Sequence, residues 1–243
     1  MNPITTIDEL DQIIEWSLAN QSRIGYFAVL MTLAVKQSII ANEFQDGQRM
    51  QRLDMIVGSQ YFAAWDAYVN QKKCSNAWHS AFDACQNSGL IVLQHLLLRI
   101  NTHINLDLCI AAAECCPGKS IFGLQSDFEK INEIIAAQSQ LVQDNLCNVW
   151  PPLKLLTNFS NNQEKSVLNF SIVTARKCSR ANAIVLANVD KAPKDEHISQ
   201  VDNMVVELDK QFIEPERWLE FLLKPVRIME DPDVDKLIGL LKN

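Results

Sequence analysis

The sequence predicts an all-α protein, a multi-helix bundle built around one long buried helix at about residues 90–115. Three observations carry that expectation. Apolar residues recur at spacings of three and four along nearly the whole chain, the helical signature. Glycine and proline are scarce, seven and eight in 243 residues, whereas Leu, Ile, Ala, Gln and Asn are frequent. Residues 90–114, LIVLQHLLLRINTHINLDLCIAAAE, are so continuously apolar that they read as the helix others wrap. The chain is read as one domain over 1–243, with a core of about 6–190. Its helices from about 191 to 243 form a looser appendage.

The elements follow in order. Thr6 is placed to cap a first helix at about 7–20, with Asp8 and Glu9 in its first turn. Ser22 caps a second at about 23–42, and NEFQDGQ, 42–48, is a polar turn. A third helix spans about 48–70, with Asp54, Tyr61 and Tyr68 every seven residues on one face. A short fourth covers about 75–86, and Gly89 punctuates it. The central helix stops at Pro117-Gly118. Ser120 caps a sixth, about 121–149, which ends at Trp150-Pro151-Pro152. Residues 153–163 form a loop, and Asn161 or Asn162 opens a seventh helix running to about Asn188. An eighth covers about 194–213 behind Pro193. Pro215 takes a first helical position of a ninth, and a last short helix begins near Asp233.

Composition removes several function classes. Charged residues make up 21% and the net charge is −7, which opposes a nucleic-acid-binding surface. No polybasic run suggests an anionic membrane. Five ionisable residues in the central helix argue against a membrane span. MNPITTIDELDQ lacks a secretory pattern, and the seven cysteines (74, 85, 109, 115, 116, 147 and 178) have no CxxC spacing. A cytoplasmic protein with reduced thiols is expected. No GxSxG, Walker, dinucleotide, HExxH or EF-hand pattern occurs.

The central helix holds the candidate chemistry. At about 100° per residue with His95 at zero, Arg99, His103, Glu114 and Asp107 fall at about 40°, 80°, 100° and 120°. Gln94, Asn101 and Asn105 form a second, uncharged stripe. His103 and Asp107, four residues apart, can reach one divalent metal ion, whereas His95 lies about 12 Å below His103 and Glu114 about 10 Å above Asp107. Further ligands would come from Asp54, Glu43 or Asp127. The same pair can equally be a hydrogen-bonded i,i+4 contact, and Arg99 can neutralise Asp107 or a neighbouring carboxylate.

The phrase LIVLQHLLL…N.HINLDL…AAAE resembles an uncharacterised family of bacterial, all-helical proteins, a domain of unknown function. RIGYFAVL at 23–30, EFQDGQRMQRLD at 43–54 and NVWPPL at 148–153 resemble it too, so the likeness covers about 6–155. It carries no reaction across. It implies that His95, Asn101, His103, Asn105 and Asp107 belong to the family pattern, with Asp46, Arg49, Asp54 and Tyr61. Arg99 stands where the family has a small residue.

Outside the central helix, Tyr61 and Asp54 are expected to face its polar stripe, with Tyr61 supplying a hydrogen bond or proton. Arg49 or Arg52 pairs with Glu43, Asp46 or Asp54 to pin the turn before the third helix. Asp127 is a candidate ligand or a first-turn acid. His79 and His197 are expected to be exposed. The leading expectation is a small-molecule enzyme, metal-assisted or not, with His103, Asp107, His95 and Tyr61 as catalytic groups. Asn101, Asn105 and Asp54 would contact substrate, and His103 and Asp107 would bind any metal. The rival is a binding or scaffold module whose stripe is a buried hydrogen-bond network. A homo-oligomer that buries the stripe is a third arrangement.

Overall fold

The computed structural model describes residues 3–40, 44–130, 163–215 and 217–242. Among these residues every regular element is helical and no strand occurs, so the protein is all-α. Helix α1 spans Pro3–Ala19, α2 Gly25–Ile40, α3 Gly47–Val69 and α4 Asn76–Asp83, which continues as a 3₁₀ turn, Ala84–Gln86. The central helix comprises α5, Val92–Thr102, a π-turn, His103–Asp107, and α6, Leu108–Cys115. A 3₁₀ run, Gly118–Leu124, follows, and residues 125–130 are α-helical. Then come α7, Gln163–Asn188, α8, Lys191–Ile213, α9, Arg217–Met229, and α10, Val234–Leu241.

The helix starts have visible causes. Ser75 Oγ accepts from Trp78 N–H at 3.2 Å, Asp46 from Arg49 N–H at 3.0 Å, and Asp233 from Asp235 and Lys236 N–H at 3.0 and 3.1 Å. Each replaces an intrahelical partner that a first turn lacks. Ser22 accepts from Ile24 N–H at 3.3 Å just before α2. Thr6 is not a cap: α1 begins earlier, at Pro3, a residue whose fixed φ suits a first helical position. The eighth helix likewise starts at Lys191, and Pro193 lies in its first turn, where its missing N–H costs no bond. The sixth helix expected from Ser120 opens as 3₁₀ instead, with Ser120 Oγ donating to Pro117 O at 2.7 Å. Residues 131–149 of that helix, 153–162 of the expected loop, NVWPPL and Glu43 lie outside the described residues, and Gln163 opens α7.

Two apolar clusters form the interior. The first joins α1, α2, the end of α3, α4, α5, α9 and α10 through residues such as Ile13, Phe27, Phe82, Leu98, Val226 and Ile238. The second joins the start of α3, α6, the 3₁₀ run, α7 and α8 through Leu53, Leu106, Ala112, Ala183 and Val205. The central helix passes from one to the other, and its π-turn sits at the crossing. The C-terminal helices expected to be a looser appendage contribute Leu223, Val226, Val234, Leu237, Ile238 and Leu241 to the first cluster. Their docking explains Gly25: a Cβ there would lie 2.7 Å from Ile238 Cδ1 and 2.8 Å from Ser17 Cβ, closer than carbon atoms pack.

The turn before α3 is pinned by the expected Arg49–Asp46 pair, at 3.9 Å, and more closely by Asp127. Arg49 Nη2 donates to Asp127 at 2.7 Å, and Gln45 N–H donates to the other Asp127 oxygen, also at 2.7 Å. Burial raises the Asp127 carboxyl, but the hydrogen bonds from Arg49 and the turn outweigh it and hold it below the ordinary value. Asp127 is thus committed to a structural clamp. Among the described residues no helix is long and apolar enough to cross a membrane.

Candidate functional site

The site is built where the central helix changes its winding. The Leu108 N–H bonds to His103 O, five residues back, and the wider turn interrupts the 100° spacing. Glu114 therefore leaves the polar stripe and is exposed. Within the π-turn, His103 Nδ1 lies 3.2 Å from Asp107 Oδ2. An ionised carboxylate only accepts, so Nδ1 carries the proton and Nε2 is left as an acceptor. The His103 side chain keeps 14% of its surface exposed against 4% for Asp107. No other hydrogen bond engages the imidazole among the described residues.

Asp107 is held from behind by Trp78. The indole Nε1–H donates to both carboxylate oxygens, at 3.0 and 3.1 Å. Burial pushes the Asp107 carboxyl above its usual range, and the bonds from His103 and Trp78 oppose that push. Trp78 is itself fixed by the start of α4. Asp202 on α8 accepts from the N–H groups of Asn76 and Ala77 at 2.9 and 2.8 Å, beside the Ser75 cap. An aromatic wall surrounds the pair. Phe27 meets His103 edge-on at 5.5 Å and Tyr61 at 5.2 Å, and Tyr61 lies 5.0 Å from Trp78. Trp78 stacks on Phe82 at 5.1 Å.

Asp54 completes the site from α3. The residue is exposed to solvent, with neighbouring protein around its carboxyl. Desolvation raises it to about 6, and His103 acts in the opposite sense. Tyr61 is fully buried in the aromatic wall, its hydroxyl without a hydrogen-bond partner among the described residues and its pKa raised by burial. It packs on Trp78 and makes no hydrogen bond to Asp107.

The uncharged stripe does something different. Gln94 Nε2 donates to Phe212 O at 2.7 Å. Asn105 Nδ2 donates to Asn101 Oδ1 at 2.8 Å, and Asn101 Nδ2 to Asp209 Oδ1 at 3.0 Å. Gln94, Asn101 and Asn105 therefore tie the central helix to α8. Asp209 is wholly buried and raised to about 7, chiefly by desolvation, against hydrogen bonds from Asn101 and Ser80.

His95 lies two turns below His103 in a third environment. Its ring meets Tyr26 edge-on at 6.2 Å. Arg99, also buried, donates from Nη1 to His95 O at 2.6 Å and from Nη2 to Cys85 Sγ. Arg99 does not neutralise Asp107. Burial first, then the charges of Arg99 and Arg23, lower the His95 imidazole to about 2, so it stays neutral. A folded-state pKa below the unfolded value means the unfolded chain binds the extra proton, so stability falls as pH drops below about 6.5. His95→Leu removes that liability. At pH 5 it is expected to gain about 2 kcal/mol over its effect at pH 8, read from urea denaturation at the two pH values; equal effects at both would contradict a buried neutral imidazole.

Of the residues expected at the site, the structure joins His103 and Asp107, sets Tyr61 in the wall beside them, and leaves Asp54 in electrostatic range of His103 without a hydrogen bond to either. His95, Asn101 and Asn105 stand elsewhere on the helix. Among the described residues no three His, Cys, Asp or Glu side chains cluster as a metal would need. Sequence reasoning missed Trp78, Asp202 and Asp209. The signal for Trp78 was weak: a buried indole N–H requires an acceptor, but nothing local identifies Asp107.

No curated protein and no solved structure matches this chain. A family model does match, over residues 5–215, well beyond the stretch of likeness read from the sequence. The chain thus belongs to the family described as "Family of unknown function (DUF5995)".

Proposed function

We propose that the protein is a small-molecule enzyme whose chemistry is proton transfer by His103. The observation that carries this is the Trp78–Asp107–His103 chain of hydrogen bonds at the π-turn, which leaves Nε2 as the unpaired end. Trp78 holds Asp107, Asp107 orients the imidazole and stabilises the charge it gains, and Nε2 takes a proton from substrate. Asp54, its carboxyl raised above the ordinary range and in electrostatic reach of His103, holds or returns a second proton. The aromatic wall of Phe27, Tyr61 and Trp78 suits a substrate with an apolar part. The scattered free cysteines suit a reducing, cytoplasmic setting.

The mutual bond of His103 and Asp107 favours this reading over shared metal ligation, because each occupies an atom of the other. Diethyl pyrocarbonate, followed by peptide mapping, tests it. His103 is expected to be acylated and His95 not, and Asp107→Asn should slow the reaction at His103. Metal content of untagged protein separates the alternatives. Stoichiometric metal lost in folded His103→Ala and Asp107→Ala would return the pair to a ligand role. Failure of both variants to fold would favour the rival network, which the Asn105–Asn101–Asp209 chain already exemplifies.

A further inference from the structure

Among the described residues, Arg176 on α7 is a buried cation with no hydrogen-bond partner at Nε or at either Nη, whereas Arg99 at least reaches a carbonyl and a thiol. Its guanidinium carbon lies 5.5 Å from the centre of the Phe128 ring. Ser179, one turn on along the same helix, is equally buried, and its hydroxyl is also without a partner. The next arginine shows what a satisfied neighbour looks like: Arg180 Nη2 donates to Gln125 Oε1 at 2.6 Å.

An isolated buried cation is strongly unfavourable unless something pairs with it. Burial lowers Arg176 to about 9, which leaves it charged at neutral pH. With Phe128 against it, a guanidinium still presents its donor edge, whose fork matches two oxygens of a carboxylate or phosphate. We propose that Arg176 and Ser179 form an oxyanion-binding site, separate from the His103 site, which takes the carboxylate or phosphate group of a small ligand. Arg176 donates two hydrogen bonds to it, Ser179 a third, and Phe128 supports the guanidinium.

Thermal unfolding tests this with inorganic phosphate and with acetate, each against chloride at matched ionic strength. Binding to the folded state alone raises the melting temperature with ligand concentration. Wild type is expected to rise by several degrees with at least one probe. Phosphate alone acting assigns a phosphoryl group; acetate acting as well assigns a carboxylate-tolerant site. Arg176→Met should melt higher than wild type in probe-free buffer, because it removes an unpaired charge but keeps apolar volume, and should lose the probe-dependent rise. Ser179→Ala should weaken the rise without abolishing it. The proposal is overturned if neither probe acts beyond chloride, if Arg176→Met responds as wild type does, or if Arg176→Met is destabilised. That last result would mean the guanidinium is already paired within the fold.

Discussion

Trp78→Ala is expected to destabilise the protein by about 3–5 kcal/mol, the range for deleting a large buried aromatic side chain. Trp78 packs against Phe27, Tyr61 and Phe82, and the void cannot close because α4 is anchored by Ser75 and Asp202. Trp78→Phe separates the two roles of the side chain. It keeps most of the ring contacts but removes the N–H that Asp107 receives, so its cost is expected at about 1–3 kcal/mol, that of a buried acceptor left short of a donor. Urea denaturation of both variants checks this. A Trp78→Phe variant as stable as wild type would mean that the indole bond contributes nothing to the fold.

Asp107→Asn has the larger consequence for function. The amide keeps the shape of the carboxylate but offers an NH₂ where His103 Nδ1–H needs an acceptor, or turns and loses Trp78. In either orientation the imidazole no longer presents an unprotonated Nε2 with a charge behind it. Where a carboxylate–histidine pair moves a proton, this exchange lowers turnover by a factor on the order of 10³–10⁴. Any activity found for the wild type should fall by that order in Asp107→Asn, while the far-ultraviolet circular dichroism stays helical. Retention of activity within a few-fold would remove Asp107 from the reaction.

The depth to which the sequence can be read varies with the range of each interaction. The caps at Ser75 and Asp233, the stop at Pro117 and the burial of residues 90–113 are local, and they are legible from neighbouring residues. The His103–Asp107 contact is local too, four residues apart on a helix. The π-turn is not: HINLDL keeps an ordinary helical pattern, and the extra residue in the turn has no signature of its own. Because it shifts everything after it, regular helical spacing puts Glu114 on a stripe that it does not occupy. Asp202 and Asp209 act across 125 and 108 residues, so no spacing rule reaches them. Arg99 shows the same limit. Its nearest partners are a carbonyl on its own helix and the thiol of Cys85, not the carboxylate that charge arithmetic suggests.

The direction of the hydrogen bonds through Asp107 fixes the position of one proton on His103. Nitrogen-15 and proton spectra of the histidine rings read the tautomer of His103 directly. For the neutral ring, a protonated Nδ1 and an unprotonated Nε2 are expected in wild type, with loss of that preference in Asp107→Asn. A neutral His103 carrying its proton on Nε2, or a tautomer unchanged in Asp107→Asn, would contradict that direction of bonding.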